Sequence, residues 1–347
     1  VSGPLKLRRG LVVSVDPLLV EVEDERRSAW ADEVLLGEMR VGDEVVVNVA
    51  ALDLGLGSGG FDVVHVNLAR GLEGGEEGDA HVMKLNYTPL QYSVEPVEEK
   101  SVRLMSEGRA KGAPIPVAVL PLHGHLAPAA WAAAQATPGL QVGYVQTGGG
   151  ALPGSLSRDV KQLRERNLLA GHITAAPSYG GEHEALSTVG ALDAAAKLGW
   201  DAVLIGPGPG IIGSNTEFGH GGMAALEGAH AALALGCPTI LSPRLSSSDP
   251  RERHLHLSHH TFTVLELLLG EVEVAVPDAD LPGAAEAKRY LAEAADDRHR
   301  LHSVLVDLDT YRASGLPTKT MGRDLEDDSL FFAAPLATGT FLARQGL

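Results

Sequence analysis

The sequence predicts an α/β protein: a Rossmann-like, doubly wound, mostly parallel sheet preceded by a small antiparallel β-barrel or sandwich domain. Three observations predict it. From residue 115 to 306, nearly continuous apolar runs alternate with Ala- and Leu-rich helical stretches, as in strands covered by helices on both faces. Before residue 95, short β-branched runs are separated by Gly, Asp and Pro turn signals with no helical period. The chain has 347 residues, 44 % hydrophobic and 21 % charged, enough apolar material for two cores.

The N-terminal elements follow from local pattern. Leu11, Val13 and Val15 alternate with Val12, Ser14 and Asp16, and Asp16-Pro17 turns the chain. Leu18 to Glu23 continues as a strand, the turn from Val41 feeds the valines to Val47, Gly55 to Gly60 is a loop, and Phe61 to Val66 is a strand. This gives an all-β domain over 1–95. Residues 96–114 are polar and read as a linker with a short helix near Lys100 to Lys111.

The α/β domain spans 115–306. Its strands are expected at Ile115–Leu122, Gln141–Gln146, Leu169–Ala175, Ala202–Ile205, Pro238–Leu241, Val272–Val276 and His302–Val306. Helices are expected near 127–136, 155–167, 182–198, 220–235, 258–269 and 283–297. The tail 307–347 reads as separate, with a last helix from Leu330 to Arg344 broken at Pro335.

Charge and cysteine content exclude several functions. The 28 Lys+Arg against 45 Asp+Glu leave a net charge of −17, which repels nucleic acid and anionic membranes. The single cysteine, Cys237, excludes an internal disulfide and a Cys-rich zinc module, and its strand position reads as core. No basic-then-apolar leader and no long apolar run occur, so a cytoplasmic protein is expected. A homo-oligomer is compatible with all of this.

Ligands of open parallel sheets bind outside the carboxyl ends of the strands. Five unusual clusters each follow an expected strand: His123-Gly124-His125, Thr147-Gly148-Gly149-Gly150, Ser178 to Glu184, Gly206 to Gly210, and Ser242-Pro243-Arg244 with Ser246 to Asp249. A shared pocket at that edge is the expectation. Gly208-x-Gly210-x-x-Gly213 formally matches a dinucleotide fingerprint, yet two prolines interleave it and the next helix starts late. Arg244 and the serines after it would suit a 2′-phosphate, which keeps an NADP reading open.

The densest polar chemistry lies between Arg244 and Thr261. Arg244, Arg251 and Arg253 suit forked recognition of phosphate or carboxylate. Ser258 reads as the N-cap of a helix carrying His259 and His260. His256 and His260 are spaced i, i+4, but no H-E-x-x-H motif is present, and no metal ligands are assigned. An H-x-H pair at His123 and His125, with Glu182, His183 or Glu184, is a second metal reading. Among catalytic candidates His123 leads, at the end of the first strand of the α/β domain, with His254 and His259 as competitors. The ligand-binding candidates are Thr147, Gly148, Gly149, Gly208, Gly210, Gly213, Arg244, Ser246, Arg251, Arg253, Ser258 and His260. Ser155 and Ser157 read as helix caps, no G-x-S-x-G elbow occurs, and Glu326-Asp327-Asp328 reads as a solvated face or helix start.

Specific stretches carry a family resemblance. They are Ala50 to Gly60, Lys84 to Gln91, Gly148 to Pro153, Gly206-Pro207-Gly208, Asp249-Pro250-Arg251 with His254, Ser258, His259 and His260, and Met321-Gly322-Arg323 with Asp327, Phe331 and Phe332. Over nearly its whole length the chain resembles an uncharacterised bacterial family, domain of unknown function 3866, known mainly from actinobacteria. The resemblance implies an architecture and no reaction. It leads one to expect only the first histidine of His123-Gly124-His125, which counts against an H-x-H metal pair. It also gives weight to Tyr87 to Gln91 as a segment reaching toward the cleft from the first domain.

The functional expectation is an enzyme acting on a small anionic, phosphorylated or nucleotide-like molecule at the sheet edge. One alternative is a non-catalytic small-molecule sensor or protein-interaction scaffold. The other is an NADP-dependent oxidoreductase. No cofactor is assigned.

Overall fold

The computed structural model describes residues 3–56, 59–75, 79–106, 114–214 and 216–345. The chain forms two compact units, Val1–Ala80 and His81–Leu347.

The first unit is a closed five-stranded barrel. Its strands are β1 (Leu7–Val15), β2 (Leu18–Val22), β3 (Glu25–Trp30), β4 (Glu44–Asn48) and β5 (Asp62–Asn67), with short helices α1 (Glu33–Leu36) and α2 (Ala50–Asp53). They close in the order β1-β2-β3-β5-β4. Every pair is antiparallel except β3 with β5. Inward-facing valines fill the barrel, among them Val12, Val20, Val45, Val47 and Val64. Gly10 is required there, because a Cβ would run into Val20 and Val22. Buried Asp43 staples one end by accepting hydrogen bonds from Arg40 N–H at 2.9 Å and Asn67 Nδ2 at 2.8 Å, and by pairing with Arg70.

The second unit opens with the hairpin β6 (Val82–Lys84) and β7 (Tyr92–Val94), then α3 (Val97–Ser106). There follow β8 (Val117–Val119), α4 (Leu126–Ala136), β9 (Val142–Thr147), α5 (Arg158–Glu165), β10 (His172–Ala175), β11 (His183–Ala185), α6 (Thr188–Lys197) and β12 (Ala202–Pro207). Next come α7 (Ala224–Ala234), β13 (Thr239–Leu241), the small pair β14 (Leu245–Ser246) and β15 (His256–Leu257), and α8 (His259–Leu267). The chain ends with β16 (Glu273–Asp278), α9 (Ala284–Ala295), β17 (Arg300–Leu305), α10 (Leu308–Ala313), the pair β18 (Lys319–Thr320) and β19 (Arg323–Asp324), and α11 (Ser329–Gln345).

Eight strands form one parallel sheet, ordered β11-β10-β9-β12-β8-β13-β16-β17. The winding runs outward from β9 to β11, returns at β12, then runs the other way from β13 to β17. The carboxyl ends of β12, β8 and β13 flank that reversal, where open α/β sheets place ligands. Alternate strand residues feed two cores. Val117, Val145, Ile173, Val203 and Leu241 pack with helices α6 to α9, and Ala118, Tyr144, Leu204, Ile240 and Ala275 pack with α4, α5 and α11. Each fully buried Val or Leu adds roughly 1.5–3 kcal/mol.

Four expectations are revised. The tail is not separate: α11 buries Leu330, Phe331, Phe332, Leu336 and Leu342 in the second core. Pro335 lies inside a continuous helix and does not break it, because buried packing outweighs one lost backbone hydrogen bond. Gly339 lets α11 approach α4, since a Cβ there would run into the Ala129 carbonyl. The expected helix at 182–198 begins only at Thr188, with Ser187 as N-cap accepting from Gly190 N–H. Its first residues instead form β11, which extends the sheet beside β10.

The short helix expected near Lys100 to Lys111 is α3, which starts three residues earlier, at Val97. Glu98 Oε1 accepts hydrogen bonds from Leu186 N–H at 2.9 Å and Ser187 N–H at 3.2 Å. The rest of the linker, 107–113, lies outside the described residues. The hairpin of Lys84 to Gln91 belongs to the second unit, where buried Lys84 donates to the Thr174 carbonyl at 2.7 Å and pairs with Glu184. Among the described residues, no helix is long and apolar enough to cross a membrane.

Candidate functional site

Two polar constellations sit at the carboxyl edge. The first lies over β9 and β12. His123 follows β8 in a 3-10 turn and is buried. Its Nδ1 lies 3.3 Å from the Pro207 carbonyl and its Nε2 2.7 Å from Ser157 Oγ. A carbonyl only accepts, so Nδ1 carries the proton and Nε2 accepts from the serine. Ser157 caps α5 by accepting from Val160 N–H at 3.0 Å. Asp159 Oδ2 is 3.8 Å from the same Nε2. Tyr144 donates to the Gly206 and Pro207 carbonyls, and His172 stacks on Tyr144 and pairs with Gln146. Burial lowers the pKa of His123, and brings His172 down to about 3. Both rings are neutral at pH 7, and neither has a buried nitrogen without a hydrogen-bond partner.

The second constellation lies over β8 and β13. β14 pairs with β15 and folds the stretch 244–257 back on itself. Arg244 N–H donates to Thr261 Oγ1 at 2.8 Å, and Ser258 N–H to the Arg244 carbonyl at 3.0 Å, which ties the arginine to the first turn of α8. Ser258 is the N-cap of α8, as expected. Around buried Arg244 lie Arg251, Arg253, Arg323, Asp249, Asp328 and four imidazoles, His220, His254, His259 and His260.

The charges are uneven. Asp249 takes a forked pair from Arg251 at 2.9 and 2.8 Å and lies 3.5 Å from Arg244 and 3.4 Å from Arg323. Asp328 is buried, accepts from Ser246 Oγ at 2.6 Å and pairs with Arg323 at 3.1 Å. Of the two readings of its acidic run, the helix start holds for Asp328, which immediately precedes α11, and the solvated face does not. Arg253 Nε donates to His254 Nε2 at 3.4 Å. Three guanidiniums, those of Arg244, Arg251 and Arg323, thus share two carboxylates. Burial and the neighbouring arginines bring Arg244 down to about 10 despite Asp249. Burial first, then these cations, hold His254 near 3 and His259 near 4. His220 is also lowered, chiefly by burial.

Besides Nδ1 of His256 on β15, two buried ring nitrogens here lack partners. One is Nε2 of His125, whose Nδ1 lies 2.9 Å from Ser242 Oγ. The other is Nδ1 of His220, whose Nε2 lies 2.8 Å from the Glu217 carbonyl. His123 and His125 therefore serve different constellations and do not form an H-x-H pair. His256 stacks toward Tyr290 from β15, outside α8, so it shares no helix face with His260.

The glycine-rich loops explain themselves by packing. A Cβ on Gly208 would strike the Ala151 carbonyl and Gln146, and one on Gly149 would strike Gly221. Gly210 has φ +70°, a left-handed turn position. Gly213 bridges His220 across a hairpin-like loop. The helix after this loop starts only at Ala224, so the fingerprint context fails. Gly148 rests against Pro177, and Thr147 Oγ1 donates to the Gly148 carbonyl at 3.3 Å.

The structure therefore brings together Arg244, Arg251, Arg253, His254, Ser258, His259 and His260, with Ser246 beneath them. His123, Thr147, Gly148, Gly208 and Gly210 belong to the turns that follow β8, β9 and β12, and Gly149 packs on Gly221, next to His220. Sequence reasoning placed Asp249 in a pocket cluster without a role and passed over His220, Arg323 and Asp328 as site residues. The one local signal for His220 is its place between Gly219 and Gly221-Gly222 ahead of an Ala-rich helix.

The family described as protein of unknown function (DUF3866) matches residues 28–339, and the chain belongs to it. No curated protein and no solved structure matches the chain significantly.

Proposed function

We propose that this protein is an enzyme that binds a small anionic, phosphorylated or nucleotide-like molecule in the Arg244 basin. One observation carries the reading: a buried guanidinium stands where arginines outnumber carboxylates, in a chain of net charge −17. Burying a cation without full compensation is costly, and an arriving phosphate offsets that cost through charge-assisted, forked hydrogen bonds. Arg244 is the anion's partner; Arg251 is committed to Asp249 and sets the field. Neutral imidazoles beside a bound anion suit proton transfer, with His254 and His259 as the candidate bases. The N-terminus of α8 adds positive potential on the same side.

The test is calorimetric titration with inorganic phosphate and with adenosine monophosphate. Arg244→Met keeps the side-chain volume and removes the charge. The expected result is loss of affinity by about tenfold to a hundredfold, the worth of a charged hydrogen bond, with thermal melting unchanged or raised. Unchanged affinity for both probes overturns the reading.

A further inference from the structure

We propose that His220, His259 and His260 form a binding site for one divalent transition-metal ion of the zinc type. Their ring nitrogens all lie within 4.8 Å of one another. The rings of His220 and His260 stack with centroids 3.7 Å apart and 9° between their planes, so one of them must turn about its Cβ–Cγ bond for both in-plane lone pairs to meet one ion, and His259 lies 5.2 Å from the first and 4.4 Å from the second.

The proton positions favour ligation. The Glu217 carbonyl can only accept, so Nε2 of His220 carries the hydrogen and Nδ1 carries the lone pair. That Nδ1 is buried with no hydrogen-bond partner. A histidine whose outer N–H is held by a backbone carbonyl, with its inner nitrogen left open, is the arrangement of a metal ligand and its orienting shell. Gly222 keeps space beside the rings, because a Cβ there would come within 2.9 Å of Nδ1 of His220 and 2.8 Å of Nδ1 of His260. His254 is excluded from the set, since its nitrogens already meet Ser258 Oγ at 2.7 Å and Arg253. Three imidazoles without a carboxylate select zinc, cobalt or nickel over magnesium or calcium.

Arg244 NH1 lies 3.3 Å from Nδ1 of His260, a long contact that a bound metal would displace. The released guanidinium would then face whatever fills the metal's open position. This coupling, and only this, rests on the anion reading.

The experiment uses the full chain, stripped by a chelator and titrated with Zn²⁺ or Co²⁺ alone. One equivalent should bind, and Co²⁺ should give visible d–d absorption. His220→Gln and His259→Gln should each weaken binding by about 100-fold, whereas His302→Gln, on β17, should not. His259 is half-buried, so its variant keeps the proposal testable if the His220 variant unfolds. No metal uptake, or binding that survives both substitutions, overturns the site. Zinc binding that inorganic phosphate leaves unchanged supports the metal site and counts against the anion reading. Phosphate binding to a protein that takes no zinc does the reverse.

Discussion

The two constellations at the sheet edge contain the same kinds of residue and differ in one property. Around His123, donors and acceptors are matched: the imidazole joins the Pro207 carbonyl to Ser157, Tyr144 closes on two carbonyls, and His172 meets Gln146. Around Arg244 they are not. Three buried imidazole nitrogens, on His125, His220 and His256, lack partners, and guanidiniums outnumber carboxylates. A satisfied buried network rigidifies a fold, and an unsatisfied one is where a ligand, an ion or water has most to offer. The lesson is that residue type alone does not distinguish scaffold from site; the balance of donors and acceptors does.

The largest effect that could break this comparison is on stability. His123→Ala strips the proton acceptor from Ser157 and the donor from the Pro207 carbonyl, and leaves a void beside Tyr144. The expected cost is about 3 kcal/mol, from unpaired polar groups and a cavity. Urea unfolding would measure it, and phosphate affinity in the folded variant should stay within about twofold of the parent, since no contact to Arg244 is lost. A stable variant that no longer binds phosphate would move the site to His123.

Much of this architecture was legible because burial on both faces leaves a plain mark. The seven apolar runs read from the sequence all fall on sheet strands. The eighth, His183–Ala185, is three residues long with two of them polar, too short to carry a period. The Arg244 to Thr261 stretch was legible because basic density is rare in so acidic a chain. His220 was not, because it arrives through a loop whose path depends on Gly213 and Gly149 packing, a tertiary matter. Asp328 and Arg323 come from the tail, and no local pattern links them to Ser246. The glycine run misled for a physical reason. Close packing of two loops and close approach of a phosphate demand the same absent Cβ.

A second test sharpens the contrast through pH. His172 is buried and neutral, with a folded pKa near 3 against 6.5 for the free side chain. Below 6.5 the unfolded chain binds a proton that the folded chain refuses. Stability should therefore fall as pH drops from about 6.5 toward 3, by about 1.4 kcal/mol per pH unit for this group, and be unaffected above that window. His172→Gln should flatten the slope by one proton, as read by denaturant midpoints between those pH values. An unchanged slope would mean that this ring is not held neutral by the closed network.

The smallest expected effect concerns Arg251. Its fork on Asp249 is half exposed, so the pair is worth at most about 1 kcal/mol. Arg251→Ala would leave the Asp249 carboxylate to Arg244 and Arg323 alone. Asp249 would then neutralise Arg244 more fully, and the basin would lose part of its positive excess. Phosphate affinity should fall, but by no more than about fivefold, the equivalent of that energy. Arg251→Lys keeps the charge without the fork and should recover most of the loss. A drop as large as that of Arg244→Met would make Arg251 a direct partner of the anion and Asp249 its resting counter-ion.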